Sequence, residues 1–169
     1  MIKEKEHGKA FSSRLVFTPT FIKNNILSLY TTFIYVGTPT FRHGYGYNNF
    51  VQRNKPLGWL YGSDGQEYNI GLNYSDRKKF IFSFETGVRK IGEESIIFRQ
   101  YEEYANYLKD PFPSGDVKIS NFFKINFEYW YKRNISNTIV YNIEKNNFNS
   151  IKHSINLKLD LYFSLNSKL

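Results

Sequence analysis

From Ile151 to Leu165 the chain alternates without interruption. One face collects Ile151, His153, Ile155, Leu157, Leu159, Leu161, Phe163 and Leu165. The other collects Lys152, Ser154, Asn156, Lys158, Asp160, Tyr162 and Ser164. A period of two is the signature of a strand with one apolar and one polar face. Fifteen residues is long beside the usual strand of about 5–6. It suits a tilted membrane-crossing strand, which needs about 9–11 residues in hydrocarbon and runs on beyond it.

Six earlier segments extend the pattern. Strands are expected at Phe11 to Ile22, Ile26 to Val36, Glu67 to Ser75, Lys79 to Ile91, Val117 to Tyr131 and Ile135 to Glu144. In the fourth, Phe80, Phe82, Phe84 and Val88 oppose Ser83, Glu85, Gly87 and Arg89. In order the connections are short, long, short, long, short and modest, the last turning at Asn146 to Asn149. Short turns fall at Lys23-Asn24-Asn25, Asp76-Arg77-Lys78 and Arg133-Asn134, and long loops at Gly37 to Gln66 and Gly92 to Asp116. Up-and-down outer-membrane barrels sort their connections this way, with short periplasmic turns and long outer loops. Within the second long loop, Ile97, Tyr101, Tyr104 and Leu108 have helical spacing, and Pro111 and Pro113 stop it. A short helix is expected there.

The expected fold is therefore all-β: an antiparallel up-and-down transmembrane barrel with a short helix in one long loop. Seven is odd, whereas single-chain bacterial barrels have even strand counts. The N-terminus MIKEKEHGKAF lacks the apolar run of a signal peptide. Both points lead to the expectation of a C-terminal piece of a larger barrel. Residues 1–10 would be disordered or incomplete, and residues 11–169 would form the partial barrel domain.

Composition agrees with this reading. Mean hydropathy is negative, which a barrel tolerates because only alternate residues face lipid. Aromatic residues make up 19% of the chain, and interfacial girdles use many of them. AT-rich codon usage, which favours Asn, Lys, Ile, Phe and Tyr, contributes as well. The net charge of +8 comes from scattered Lys and Arg, without the clustering of a nucleic-acid footprint. It suits attraction to acidic polysaccharide or lipopolysaccharide. With no Cys, disulfides, thiolate catalysis and Cys-type zinc sites are excluded. His7, His43 and His153 lack metal-ligand spacing. No catalytic residue, metal or cofactor is assigned, and the chain is expected not to be an enzyme.

The first long loop carries the candidate ligand-binding residues. Tyr45, Tyr47, Trp59 and Tyr61 offer rigid faces for sugar stacking. Arg42 and Arg53, with Lys55, offer pairing to acidic groups. The competing reading is an aromatic rim that packs the loop on itself.

The segment Arg53-Asn54-Lys55-Pro56-Leu57-Gly58-Trp59-Leu60-Tyr61-Gly62-Ser63-Asp64-Gly65-Gln66-Glu67 resembles a pattern of the Wzi-like capsule assembly family. That pattern has a Pro-Leu-Gly, an aromatic or His, then Gly and an acidic residue before an alternating strand. Trp59 stands where His is commoner. The resemblance extends loosely over the remaining strands, as the C-terminal part of a larger barrel. It implies an outer-membrane barrel with lectin-like activity that helps retain capsular or surface polysaccharide. Only the Pro56-Leu57-Gly58 loop carries over, as a structural element. The rival readings are a diffusion channel or transporter barrel, and a soluble sugar-binding β-sandwich.

Overall fold

β-branched and aromatic residues at alternate positions favour pleated strands, and the seven expected segments form one antiparallel sheet. The computed structural model describes residues 8–19, 25–42, 51–53, 55–99 and 111–162. The strands are β1 (Ala10–Phe17), β2 (Ile26–Val36), β5 (Gly65–Ser75), β6 (Phe80–Ile91), β7 (Lys118–Lys132), β8 (Ile135–Asn146) and β9 (Ile151–Leu161). Two two-residue strands, β3 (Val51–Gln52) and β4 (Lys55–Pro56), pair inside the first long loop and were not expected. The large sheet is a meander in the order β1-β2-β5-β6-β7-β8-β9. Its edges, β1 and β9, both run from the long-loop end toward the short-turn end.

Two strand boundaries differ from the sequence reading. β1 stops at Phe17, before Thr18 and Pro19; Pro has no N–H to give the ladder. Residues 20–22 lie outside the described residues. β9 ends at Leu161 after 11 residues, and 163–165 lie outside the described residues. The helix expected around Ile97 to Leu108 does not appear where the chain is described: Glu93–Arg99 forms turns, and 100–110 lies outside. No helix of the described residues is long and apolar enough to cross a membrane, which says nothing of crossing by strands.

Short turns are set by local side chains. Asp76 Oδ1 accepts from the backbone N–H groups of Lys78, Lys79 and Phe80 at 2.9, 2.9 and 2.8 Å. Arg77 sits at φ 59°. Asn146 Oδ1 accepts from Phe148 N and Ser150 N, both at 3.0 Å, and Asn149 takes φ 57°. Asp and Asn favour such turns because their carbonyl oxygens mimic the backbone acceptor.

The three bonds to Asp76 hold its carboxyl below the ordinary value of 3.8. A lowered native pKa stabilises the fold above the ordinary value, and that stability is lost as pH falls through the native one. Amide exchange at Lys78, Lys79 and Phe80 should therefore accelerate with acidification in this range. Asp76→Asn should remove the dependence, and a profile identical in both proteins would contradict this account of the turn.

Register assigns the two faces. One row across the sheet reads Tyr30, Gly71, Glu85, Lys124, Asn142 and Ser154, which is polar. The row beside it reads Leu29, Leu72, Phe84, Ile125, Tyr141 and Ile155, which is apolar. Burial is inverted relative to a soluble domain. Glu67, Asn69, Arg89, Ser120 and Ser136 on the polar face are buried. On the apolar face, Leu15 is 73% and Leu157 75% exposed, with Phe11, Phe33, Ile70, Val88, Ile139, Ile155 and Leu159 also exposed. Among the described residues the only other sheet is the β3–β4 pair, so no second sheet covers this face.

Glycine shapes the polar face at one close approach. A Cβ on Gly71 would lie 2.2 Å from Tyr30 Cζ. Without one, the Tyr30 ring lies over β5, and its hydroxyl donates to Glu85 Oε2 on β6 at 2.8 Å. The Arg14 guanidinium stacks on the other part of this unit, 3.9 Å from the ring centre.

Candidate functional site: the capped end of the sheet

The two long loops meet at one end of the sheet, and Asp64 joins them. Its side chain is fully buried. Oδ1 accepts from Thr38 Oγ1 at 2.8 Å and Ser114 N at 3.1 Å; Oδ2 accepts from Ser114 Oγ at 2.5 Å. Its backbone carbonyl accepts from Gly92 N at 2.8 Å. Asp64, through carboxylate and backbone together, thus ties the chain after β2, the chain before β5 and both ends of the β6–β7 loop. A buried charge is tolerable only when satisfied in this way. Ser63 Oγ accepts from Ile96 N at 3.1 Å, and Ser95 Oγ donates to Tyr61 O at 3.0 Å. Arg99 bridges Glu94 at 2.8 Å and Glu93 at 3.0 Å.

Below this cap lies Arg89, 5% exposed, on the polar face of β6. Its Nε donates to Glu67 Oε2 at 2.7 Å, and Nη1 lies 3.5 Å from Glu144 Oε2. Its guanidinium is held between two rings, 3.3 Å from the centre of Tyr61 and 4.7 Å from that of Phe122. Arg suits this place because its flat cation stacks on rings while its edge bonds carboxylates. Burial pushes the Tyr61 phenol above its ordinary value of 10.0, and Arg89 opposes the shift.

The six residues singled out by sequence fare differently. Tyr45 and Tyr47 lie outside the described residues. Arg42 donates from Nη2 to the Glu94 carbonyl and so braces the cap. Tyr61 is committed to Arg89. Arg53 is exposed at φ 51° in the β3–β4 turn. Trp59 meets Tyr61 edge-on at 5.4 Å. Its ring also packs against Gly65, where a Cβ would lie 2.8 Å from Cζ3. Trp59 also lines a hollow of about 400 Å³ with Phe41, Tyr35, Phe11 and Ser12. Phe41 in turn rests on Gly58, whose missing Cβ leaves room for the ring. The Pro56-Leu57-Gly58 segment therefore positions one wall of this hollow.

Arg53 and Trp59 thus remain as a surface cation and a hollow-lining aromatic, whereas Arg42 and Tyr61 hold the cap together. Sequence reasoning missed Asp64, Thr38 and Ser114. Asp64 is the acidic residue of the quoted pattern, but nothing local pairs it with Thr38 and Ser114, because their meeting spans 26 and 50 residues. Comparison with family models, with curated proteins and with solved structures finds no match for this chain.

Proposed function

We propose that this chain is the wall of an outer-membrane β-barrel that works without catalysis, retaining surface or capsular polysaccharide at its capped end. The observation that carries the membrane part is the inverted burial. An apolar face this broad and this exposed is rare on soluble monomers, where contiguous apolar patches seldom exceed a few hundred Å². Lipid on that face and water on the other satisfies both. Strands of 11 and 12 residues at the centre of the sheet are long enough to span hydrocarbon.

The polysaccharide part is supported by the Wzi-like resemblance around Pro56-Leu57-Gly58 and by what surrounds that segment. The Trp59 hollow offers an aromatic wall for a sugar face, and exposed Arg53 and Lys55 stand on the neighbouring hairpin. Binding of purified protein to an acidic capsular polysaccharide should weaken by about tenfold in a Trp59→Ala, Arg53→Ala double variant, as loss of one stack and one charged contact predicts. Undiminished binding in that variant would remove the hollow as the site.

A channel reading is favoured by a separate observation. Ser120 Oγ, Ser136 Oγ, Asn69 Oδ1 and Asn126 Oδ1 are buried on the polar face without a partner among the described residues. Buried polar atoms of this kind are served by water, as in a hydrated lumen. Conductance in a planar bilayer separates this reading from a closed, purely adhesive barrel.

A further inference from the structure

The short-turn end carries a cluster of exposed cations. Arg77, Lys78 and Lys79 lie between β5 and β6, and Lys132 and Arg133 lie at the β7–β8 turn; all five are exposed. The two turns are side by side, since Trp130 N donates to Lys79 O at 2.8 Å. The nearby acid, Asp76, has spent Oδ1 on three backbone N–H groups. None of the five cations has a salt bridge among the described residues. At the capped end, by contrast, Arg89 and Arg99 are each paired with two acids.

A band of rings adjoins the basic turns. Phe80 lies 5.8 Å from Tyr74 and 4.8 Å from Phe127, and Tyr129 lies 4.9 Å from Tyr131. Tyr and Trp settle where hydrocarbon meets headgroups, with ring in the one and polar edge in the other. Cations just beyond such a band lie at headgroup depth, where each Lys or Arg adds attraction to an anionic surface.

We propose that the short-turn end is a docking surface for anionic phospholipid headgroups, with Arg77, Lys78, Lys79, Lys132 and Arg133 pairing the phosphates. This rests on the membrane reading above. It adds to that reading which end meets the anionic leaflet surface and through which residues.

The test transfers the full chain from detergent into vesicles of phosphatidylcholine alone, or of phosphatidylcholine mixed with phosphatidylglycerol. The wild type should enter both, with a gain on the order of 1000-fold for the anionic vesicles that high salt abolishes. The variant R77Q/K78Q/K79Q/K132Q/R133Q should match the wild type in phosphatidylcholine and lose the gain. A gain retained in the variant overturns the docking surface and leaves the membrane reading standing. Abolition of the gain by millimolar inorganic phosphate at constant ionic strength overturns the lipid assignment in favour of a soluble anion. Wild-type protein that stays out of both vesicles overturns the embedded sheet and this surface together.

Discussion

Ile70→Arg is expected to reduce the folded, membrane-inserted population by about 30-fold to 1000-fold, corresponding to about 2–4 kcal/mol for a cation on the lipid face of a barrel near the midplane. Ile70 is 47% exposed, central in β5 and on the apolar face. In water an exposed Ile-to-Arg change stays within about 0.5 kcal/mol. The two environments therefore predict outcomes that do not overlap. Asn73→Arg supplies the control, because Asn73 lies on the same strand and faces the polar side with Ser83 and Asn126. Insertion scored by protease protection or by heat-resistant migration in detergent reads the difference. Equal tolerance of both substitutions would refute lipid on the apolar face.

The second large effect concerns Arg89. Arg89→Met should destabilise the fold by about 3–5 kcal/mol, the range for removing one partner of a buried ion pair. The substitution leaves Glu67 buried without its cation and deprives Tyr61 and Phe122 of the charge between them. Most of the loss is the cost of the stranded carboxylate. The Arg89→Met, Glu67→Met double variant should therefore recover a large share of it, with a coupling of the 0.5–3 kcal/mol order seen between contacting residues. Denaturant unfolding of the four proteins of the cycle measures this. Purely additive losses would mean that the pair does not act as a unit. Because Arg89 opposes the upward shift that burial gives Tyr61, the phenol should titrate higher still in Arg89→Met while its burial persists.

Much of the sheet was legible because its signal is local. Phe80, Phe82 and Phe84 against Ser83 and Glu85 declare a two-faced strand whatever surrounds them, and β2 was bounded correctly at Ile26 and Val36. Pro19 also carried a readable warning, a missing N–H, that the expected first strand overran. The second long loop was misleading. Ile97, Tyr101, Tyr104 and Leu108 have helical spacing, yet the described part through Arg99 is pinned into turns by Ser63 and Ser114. Those anchors lie far away in sequence. The site divides along the same line. Trp59 and Arg53 stand out by residue type alone. Tyr61 is a cap residue because Arg89, on a later strand, points beneath it, and no spacing rule encodes that contact.

The shared direction of β1 and β9 constrains any closed ring built on this sheet. Strands that alternate up and down return to register only when their number is even. Seven strands leave both outer ones heading the same way, so joining β9 to β1 would create a parallel seam. Linking identical copies head to tail, in one orientation, repeats that seam at every junction. An all-antiparallel ring containing these seven strands must instead include an odd number of further strands between β9 and β1. In hydrocarbon the edges cannot stay open, since each unpaired N–H and C=O costs several kcal/mol. The meander thus sets a parity rule for its neighbours.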